Sequence, residues 1–463
     1  MQAEASASTG APQPVNVTHG RVLALAAPMM IAHATTPLMG IAGTAIIGSL
    51  GDAALVGGVA TATIVFDFVF WSLGFLRMGT AGLTAQALGA GDEQELRAAL
   101  WRALLLSTTL GVALIGLQSL IAAAAFYLID ASPVVTAAAR EFYDIRIWSA
   151  PFTLSGYATF GAIVGRGRTD LGLITQIFAN VLNVGLNVLF VLVFGWGVKG
   201  AAFGILIAET AGLALNLYLL SLLPGALAKV NLKRVFDGVG FRIMLMLNRD
   251  IMIRTAALIF VSVFFLRRGA HTDDATLAAN AILMALALML VALVDGFGTA
   301  AEQLCGQSFG ARDPKGFRRA AYLCGLWSLV LGAAIGLVTL SVGGLYADAM
   351  TPVQNVRDIV RAYLPYAAML PLAGALAFSF DGVFIGAGWG RDMRNTMLLA
   401  TVFYLALAMA LQSFGNTGLW IAQLTFYVAR WSGQWWLYPK RVAETFPDAQ
   451  SAALTPTASA TRP

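Results

Sequence analysis

A regular polar stripe marks the stretch Leu171-Gly-Leu-Ile-Thr-Gln-Ile-Phe-Ala-Asn-Val-Leu-Asn-Val-Gly-Leu-Asn-Val-Leu-Phe-Val-Leu-Val-Phe194. Most of its residues are Leu, Val, Ile and Phe, as in a helix that crosses a membrane. Gln176, Asn180, Asn183 and Asn187 interrupt them at steps of 4, 3 and 4. At about 100° per residue, these four side chains share an arc of roughly 60° on one helix face.

This stripe cannot face lipid, because nothing in hydrocarbon would satisfy its amides. It therefore faces protein or a water-filled cavity. We interpret the four residues as the lining of a solute path, and hydrogen bonding between neighbouring helices is the alternative.

The composition places the whole chain in a membrane. It is 58% hydrophobic and only 11% charged, with a mean hydropathy of +0.76, whereas soluble proteins carry about 25% charged residues. Twelve stretches are long and apolar enough to span about 30 Å of hydrocarbon. They are 23–50, 55–76, 98–128, 134–164, 171–194, 198–223, 243–266, 275–304, 319–347, 359–387, 393–414 and 417–438. We therefore predict an all-α integral membrane protein with twelve transmembrane helices.

The distribution of Lys and Arg predicts the orientation. Fifteen lie in or beside the loops after the even-numbered spans, and seven lie beside the loops after the odd-numbered ones. The richer side is cytoplasmic, so we expect both termini inside a bacterial cytoplasmic (inner) membrane. The pI of about 9.3 reflects attraction to the anionic inner leaflet, and we expect no nucleic-acid partner.

The ends of the chain and its cysteines add little chemistry. Residues 1–20 form a polar tail without the pattern of a signal peptide, and Ala, Ser, Thr and Pro predict a disordered tail over 441–463. Two cysteines and three histidines in the whole chain form no metal-binding pattern. We therefore expect no metal or cofactor, with Na⁺ only as an alternative coupling ion, and a monomer.

The sequence repeats itself after six spans. Gln86-Ala-Leu-Gly-Ala-Gly-Asp92 and Gln307-Ser-Phe-Gly-Ala-Arg-Asp313 share the pattern Gln-x-(Leu/Phe)-Gly-Ala-x-Asp at an offset of 221 residues. Two other pairs keep this offset, namely Gly165-x-Gly167 with Gly386-x-Gly388 and Arg140 with Arg361. A common helix-end signal would explain the first motif without a repeat, but it would not explain three pairs.

The repeat predicts the domain organisation. Six spans is an even number, so both copies have the same orientation and are related by a pseudo-two-fold axis along the membrane normal. We predict an N-lobe over 21–224, a cytoplasmic linker over 225–241 and a C-lobe over 242–440. Two such lobes around a central cleft are typical of alternating-access transporters.

Several motifs then resemble the DinF-like branch of the MATE (multidrug and toxic compound extrusion) family. They are Leu76-Arg-Met-Gly-Thr-Ala-Gly-Leu-Thr-Ala-Gln-Ala87, Asn248-Arg-Asp-Ile-Met-Ile-Arg254, Asp295-Gly-Phe297 with Glu302 and Gly306-Gln307, and Asp381-Gly-Val-Phe-Ile-Gly-Ala387. The resemblance covers roughly residues 20–440. It implies efflux of small organic, often cationic or amphipathic compounds, driven by inward flow of H⁺ or Na⁺ through lobes that rock around a cavity.

The chain departs from this family at two acidic positions. Where the resemblance implies an Asp in span 1, within Ile41-Ala-Gly43-Thr-Ala-Ile-Ile-Gly48, the chain has Gly43. Where it implies Asn and then Asp in span 5, the chain has Asn183 and Asn187. Neither glycine nor asparagine takes up a proton in the physiological range. The coupling acid of the N-lobe has therefore moved or been lost, with Gly43 left beside the cavity.

Other ionisable residues lie within the spans, where charge is costly and usually marks a path. Asp67, Glu209 and His33 fall near mid-membrane in the N-lobe, and Asp381 lies in span 10. We predict Asp67 as the best ion carrier and Asp381 as the next. The alternatives are a buried hydrogen-bonding group for Asp67, a satisfied core histidine for His33, and helix-end packing for Glu209.

Two further pairs have structural interpretations. Asp295 and Glu302, seven residues apart near the inner end of span 8, suggest a gate or inner lock. Asp250 and Arg254 stand at i, i+4 with the acid first, the favourable order for an ion pair within one helix.

The function predicted from these observations is cation-coupled efflux antiport. A flippase for lipid-linked precursors is the alternative, but it would need several mid-span Arg or Lys for phosphate, and these are scarce in the apolar stretches. An uncoupled or degenerate MATE-like exporter is a further alternative, because two acids are missing. No nucleophile–base pattern is present, so we expect no enzyme.

Overall fold

The computed structural model describes residues 14–49, 51–270 and 273–447, without the side chains of 36–38, 41 and 270. Helices dominate these residues, and none of them is in a strand. The helices are α1 (His19–Gly48), α2 (Ala53–Ser72), α3 (Phe75–Gly89), α4 (Glu93–Gly116), α5 (Gln118–Ile129), α6 (Pro133–Arg146), α7 (Ala150–Gly165), α8 (Thr169–Asn187), α9 (Gly197–Leu222), α10 (Leu232–Val235), α11 (Gly238–Ala270), α12 (Asp274–Gly310), α13 (Pro314–Met350), α14 (Gln354–Gly386), α15 (Gly390–Ala410) and α16 (Gly415–Thr445).

Short breaks divide some of the long segments. Leu73 and Gly74 separate α2 from α3, and one turn of 3₁₀ helix over Ile147–Ser149 separates α6 from α7. Joined across such breaks, the helices form twelve segments, with α10 as a short addition in the linker. Eight of the twelve are long and apolar enough to cross a membrane by length and hydropathy. Among the other four, α11 and α16 carry buried arginines, which lower their hydropathy.

The repeated motif has a simple local structure in both copies. It ends one helix, turns through a left-handed residue (Gly91 with φ 67°, Arg312 with φ 52°), and starts the next helix with an aspartate cap. Asp92 accepts the backbone N–H of Glu95, and Asp313 accepts those of Lys315 and Gly316. These are favourable N-caps, so the motif is also the helix-end signal considered above.

The loops after the even segments lie together at one end of the molecule, which we call the basic face. Here Arg97 Nε donates to the carbonyl of Gly225 at 2.7 Å, and Gln86 Nε2 donates to the carbonyl of Gly386 at 2.7 Å. Each of these bonds links loops that follow different segments.

The two halves of the chain meet close to the basic face. The inner segment α3 packs against α12 and α11, and α1 packs along α12. Side chains larger than hydrogen would not fit at the crossing, since a methyl group on Gly89 would overlap the carbonyl of Gln307 and one on Gly310 would overlap that of Gln86. By contrast, α2 packs mainly on α6 of its own half. The halves are therefore in close contact at the basic face.

The C-terminal tail begins later than the sequence indicated. Helix α16 continues to Thr445, so residues 441–445 are helical. Residues 448–463, like most of the N-terminal tail, lie outside the described residues.

Labelling of single cysteines tests the predicted orientation. The native Cys305 and Cys324 are fully buried, so a membrane-impermeant maleimide has no exposed native target among them. We expect it to label Val134→Cys, an exposed position at the opposite end, but not Lys229→Cys in intact cells, and to show the reverse in inverted vesicles. Labelling of Lys229→Cys from outside would contradict the orientation.

Candidate functional site

A small pocket lies where the two halves meet. It is lined by residues of α1, α3, α7, α12 and α14, among them Arg77, Asp295, Glu302 and Asp381. Met29, Phe160 and Phe378 form part of its apolar wall. The pocket thus combines three acids, one arginine and large apolar side chains between the halves of the chain.

His33 connects the halves at this pocket. From α1, its Nδ1 lies 3.2 Å from the carbonyl oxygen of Ala292 and 3.8 Å from Asp295 Oδ2, both on α12. Its Nε2 lies 3.5 Å from Nη1 of Arg77. This arrangement fits a neutral ring that donates from Nδ1 and accepts at Nε2. His33 is therefore a polar contact between the halves and does not join Asp67 and Glu209.

A second charged group lies inside the first half. Arg146 Nη2 is 3.7 Å from Glu209 Oε1, and the other oxygen of Glu209 accepts from the Thr153 hydroxyl. The guanidinium lies 4.6 Å from the ring centre of Phe66. Arg146 thus has both an anionic partner and an aromatic wall, which lowers the cost of its burial.

Asp67 lies near this group without an ion-pair partner of its own. It is within electrostatic range of Arg146, but no described Lys, Arg or His nitrogen is within 4.0 Å of its carboxylate. Its side chain is exposed, at the edge of a face of α2 that also exposes Ile64 and Phe68. Unlike Glu209 and Asp381, Asp67 therefore has no close cation among the described residues.

The amide stripe runs along the contact of α8 with α1. Gln176 Nε2 donates to Asn180 Oδ1 at 3.1 Å, and Asn180 Nδ2 donates to the Thr35 hydroxyl at 2.7 Å. Asn187 Nδ2 donates to the side-chain oxygen of Asn183 at 2.7 Å. One of the four residues thus bonds a neighbouring helix, while Gln176, Asn180 and Asn183 keep partial exposure. The bond from Asn180 fits hydrogen bonding between helices, and the partial exposure of three of the amides fits the lining of a path.

A change of helix type follows the stripe directly. After Asn187, residues Val188–Val193 form a π-helix, a rare form that is often found at functional sites. Gly43 is the position in span 1 where the resemblance implies an Asp. A methyl group built on Gly43 would have no neighbour within 4 Å. There is space at Gly43 for a side chain such as the one that the resemblance implies.

The second half buries a compact charged cluster around Asp381. Arg254 and Arg430 both donate to its Oδ2, and Gln434 Nε2 donates to Oδ1 at 2.8 Å. Both guanidiniums and the carboxylate are almost fully buried, and that of Arg430 lies 5.0 Å from the ring centre of Phe378. In this conformation the single charge of Asp381 is shared by two internal cations, whereas Asp67 has no ion-pair partner among the described residues.

Two interpretations from the sequence require correction. Asp250 does not pair with Arg254; it accepts from Arg249 at 2.9 Å and from Arg394 on α15 at 2.7 Å. Cations within the spans are also not scarce, because the side chains of Arg146, Arg254 and Arg430 are buried in the helix bundle. Arg430 belongs to none of the quoted motifs, and its isolated position within a span was the only available signal.

The two acids on α12 differ in exposure. The Asp295 side chain is 26% exposed and faces His33. Glu302 is buried seven residues closer to the basic face, and its Oε1 has no hydrogen-bond partner among the described residues. Both acids line the pocket, Asp295 as the more exposed one and Glu302 as a buried one.

This architecture defines a class of protein: a multi-pass membrane transporter built from two equivalent halves around an internal site. The chain belongs to the MatE family, whose model matches it twice, over residues 28–189 and 251–414. The twelve-helix membrane fold and the resemblance found in the motifs are thereby confirmed. Members of this family are transporters, so the chain is a transporter and not an enzyme.

Named relatives span nearly the whole chain. DNA damage-inducible protein F of Escherichia coli (strain K12) is 33% identical over 414 residues, which are 88% of this chain and 89% of the relative. A probable multidrug resistance protein NorM of Bradyrhizobium diazoefficiens is 28% identical over 444 residues, 86% and 88% of the two chains.

Solved structures share the fold. A crystal structure of MATE in complex with MaD3S superposes with a TM-score of 0.84 at 19% identity, over 92% of this chain and 96% of the other. An outward-facing multidrug resistance MATE family transporter gives the same TM-score at 17% identity, with the same coverage.

Charge removal around Asp381 tests the buried cluster. We expect Arg254→Gln or Arg430→Gln alone to be tolerated, because one guanidinium still neutralises the carboxylate. The double variant leaves a buried, unpaired acid, which costs about 3–5 kcal/mol, and Asp381→Asn added to it should restore much of the stability. Thermal unfolding of the detergent-purified protein measures this. A double variant as stable as either single variant would contradict the cluster.

Proposed function

We propose that the protein exports organic cationic or amphipathic compounds in exchange for an inward flow of H⁺, in a bacterial inner membrane with both termini in the cytoplasm. The observation that carries this proposal is Asp67, a mid-membrane carboxylate that is exposed and has no ion-pair partner among the described residues. The family to which the chain belongs supports transport, and the names of relatives such as NorM support multidrug efflux.

The direction of opening follows from the orientation. If the basic face is cytoplasmic, as the positive-inside rule predicts, the contact of Gly89 with Gln307 closes the cytoplasmic end. We infer that the halves then part toward the outside. This is the state in which an exporter releases its substrate and takes up its coupling ion.

The exposed charges favour a cationic substrate. Asp295 lines the pocket between the halves and is 26% exposed, and the exposed Asp67 has no ion-pair partner among the described residues. By contrast, Arg254 and Arg430 are buried against Asp381. A cation between the halves would gain electrostatic stabilisation without first breaking an ion pair of Asp67. The Met and Phe side chains of the pocket suit an amphipathic compound.

A proton fits Asp67 better than Na⁺ does. A hard metal ion needs several oxygen ligands at once, as Ca²⁺ and Mg²⁺ do, and no group of three or more His, Cys, Asp or Glu side chains that could hold a metal ion lies together among the described residues. A proton needs a single oxygen. Protonation of Asp67 from outside would remove the negative charge that holds the cation, so proton uptake and substrate release would exclude each other at this residue.

The alternatives are separated by the positions of the charges. Buried arginines are present, so a scarcity of cations within the spans no longer argues against a flippase. Two of them, Arg254 and Arg430, donate to Asp381. They are therefore not placed to receive a phosphate in this conformation. The uncoupled exporter remains the second candidate, because Gly43 and Asn187 stand where the resemblance implies acids.

Neutralisation of Asp67 tests the coupling. We expect Asp67→Asn to abolish efflux of a cationic dye from proteoliposomes under an imposed pH gradient, because the exchangeable charge is gone, and to leave dye binding in detergent weaker but still measurable, because the cavity amides remain. An imposed Na⁺ gradient should drive no transport by the native protein. Asp144→Asn is the matched control, since Asp144 is an exposed acid in an ion pair with Arg140.

Two results would contradict proton coupling through Asp67. If Asp67→Asn pumps normally and Asp381→Asn does not, the second half carries the ion. If the native protein shows no gradient-driven efflux, it is an uncoupled exporter. In the Asp67→Asn background, Gly43→Asp should recover part of the coupling, because position 43 has space for a side chain.

Substitutions along the stripe test whether its amides line the substrate path. We expect Asn183→Leu to reduce transport without loss of expression, because Asn183 bonds only within its own helix among the described residues. Asn180→Leu should also lower stability, since it removes the bond to Thr35. Efflux assays and thermal unfolding separate these effects. Normal transport by the double variant would show that the stripe is packing between helices.

A further inference from the structure

We propose that Asp92 and Asp313, the aspartates that end the two copies of the repeated motif, are positioning residues that hold the halves together across the basic face. Each cap aspartate uses one oxygen to start its own helix. The other oxygen holds the segment that leads into the first long helix of the opposite half. Together they stabilise the conformation in which the basic face is closed.

Asp313 shows this double use in the second half. Its Oδ1 accepts the backbone N–H groups of Lys315 at 3.1 Å and Gly316 at 2.9 Å, which begins α13. Its Oδ2 accepts the backbone N–H of Val15 at 3.0 Å. Val15 belongs to the short segment before α1, which is the first helix of the other half.

Three further contacts fix this leading segment on the second half. Arg21 Nη2 donates to Gln307 Oε1 at 2.8 Å, and Gln307 is the first residue of the same motif copy. Trp327 Nε1 donates to His19 Nδ1 at 3.1 Å. The side chain of Val17 is only 3% exposed. The start of α1 is thus attached to α12 and α13 by both polar and apolar contacts.

Asp92 makes the corresponding contact in the first half. Its Oδ1 accepts the backbone N–H of Glu95 at 2.9 Å and so begins α4. Its Oδ2 accepts from Arg234 Nη2 at 3.1 Å. Arg234 lies on α10, directly before α11, the first long helix of the second half, and Arg102 on α4 donates to the carbonyl of its neighbour Val235 at 3.1 Å.

The two attachments are equivalent under the repeat. At the offset of 221 residues, Asp92 corresponds to Asp313, and Val15 corresponds to Phe236 in the segment before α11. The groups that are held differ, a backbone N–H in one case and a guanidinium in the other. Such a difference in chemistry at the same place indicates that the position of the contact matters more than the residue that makes it.

The position of these contacts explains their effect. Each leading segment is continuous with a helix of one half and bonded to the other half, so it resists separation of the halves. The motif copies themselves lie face to face, since Gly89 contacts the carbonyl of Gln307 and Gly310 contacts that of Gln86. Opening of the basic face must break the aspartate contacts together with this glycine crossing.

A distance measurement across the basic face tests the proposal. Asp170 and Arg391 are exposed and are equivalent at the same offset of 221. Spin labels on Asp170→Cys and Arg391→Cys, in protein whose buried cysteines are replaced, report the separation of the halves in lipid nanodiscs. We expect a closed distance in the parent protein. Asp92→Asn and Asp313→Asn should each raise the longer-distance population about tenfold, the effect of losing one hydrogen bond to a charged group.

Matched variants separate this role from simple capping. Asparagine caps helices about as well as aspartate, but it offers a single oxygen and cannot serve both contacts. Asp273→Asn makes the same change at the cap of α12, where Asp273 bonds only Thr276 of its own helix among the described residues, and it should leave the distance unchanged. Val15→Pro removes only the N–H that Asp313 accepts, and it should reproduce the effect of Asp313→Asn.

A double-mutant cycle completes the test. Arg234→Gln should shift the distance at least as far as Asp92→Asn does, because it also removes the 3.4 Å bond of Arg234 Nη1 to Glu95 Oε2. Adding Asp92→Asn to Arg234→Gln should shift the distance no further, because the contact with Asp92 is already gone. If the aspartate variants lose thermal stability as Asp273→Asn does but keep the closed distance, they are helix caps and the proposal is wrong. The measurement needs neither substrate nor ion gradient, so its result does not depend on the coupling role of Asp67.

Discussion

A charge inside the hydrocarbon layer must find a partner, and this constraint organises the interior of the protein. Unpaired ions there cost several kcal/mol, and the buried charges accordingly occur in groups. Asp381 lies between Arg254 and Arg430, and Arg146 lies between Glu209 and an aromatic wall. These groups stabilise each half internally. They also determine which acids remain available, since a carboxylate already held by two guanidiniums competes poorly for an external cation.

The duplicated chain uses the same constraint differently in its two halves. In the second half the acid is buried and neutralised from within. In the first half the acidic positions of spans 1 and 5 hold Gly43 and Asn187, and a new acid stands at Asp67 on a neighbouring helix. The first half therefore keeps an acid, Asp67, that has no ion-pair partner among the described residues, whereas Asp381 in the second half is paired twice. The basic face keeps the symmetry that the interior has lost, because both motif copies retain their cap, their turn and their glycine crossing.

Composition and repetition were sufficient to predict the fold, but not the pairing of charges. Twelve apolar stretches follow from local hydropathy, and an offset of 221 residues is visible in short motifs. Ion pairs inside a bundle depend on which helices are neighbours. Asp250 illustrates this: the favourable i, i+4 spacing suggested Arg254, but Arg394, 144 residues away, lies closer once α15 packs on α11. Arg430 belongs to none of the quoted motifs, so its ion pair with Asp381 was not predicted. The lack of an ion-pair partner for Asp67 among the described residues likewise depends on which helices pack around α2, which no local pattern encodes.

The contact between the halves suggests how a closed face can also open. Small residues line it on both sides, including Gly82 and Gly89 on α3 and Gly306 and Gly310 on α12, and they let backbones approach closely. In lipid no hydrophobic force holds such surfaces together, since hydrocarbon solvates them about equally well. The free energy that separates closed from open therefore rests on the polar contacts at the rim and on His33 inside. A few hydrogen bonds of modest strength can then set the balance, and this leaves the equilibrium within reach of a single proton or a single substrate cation.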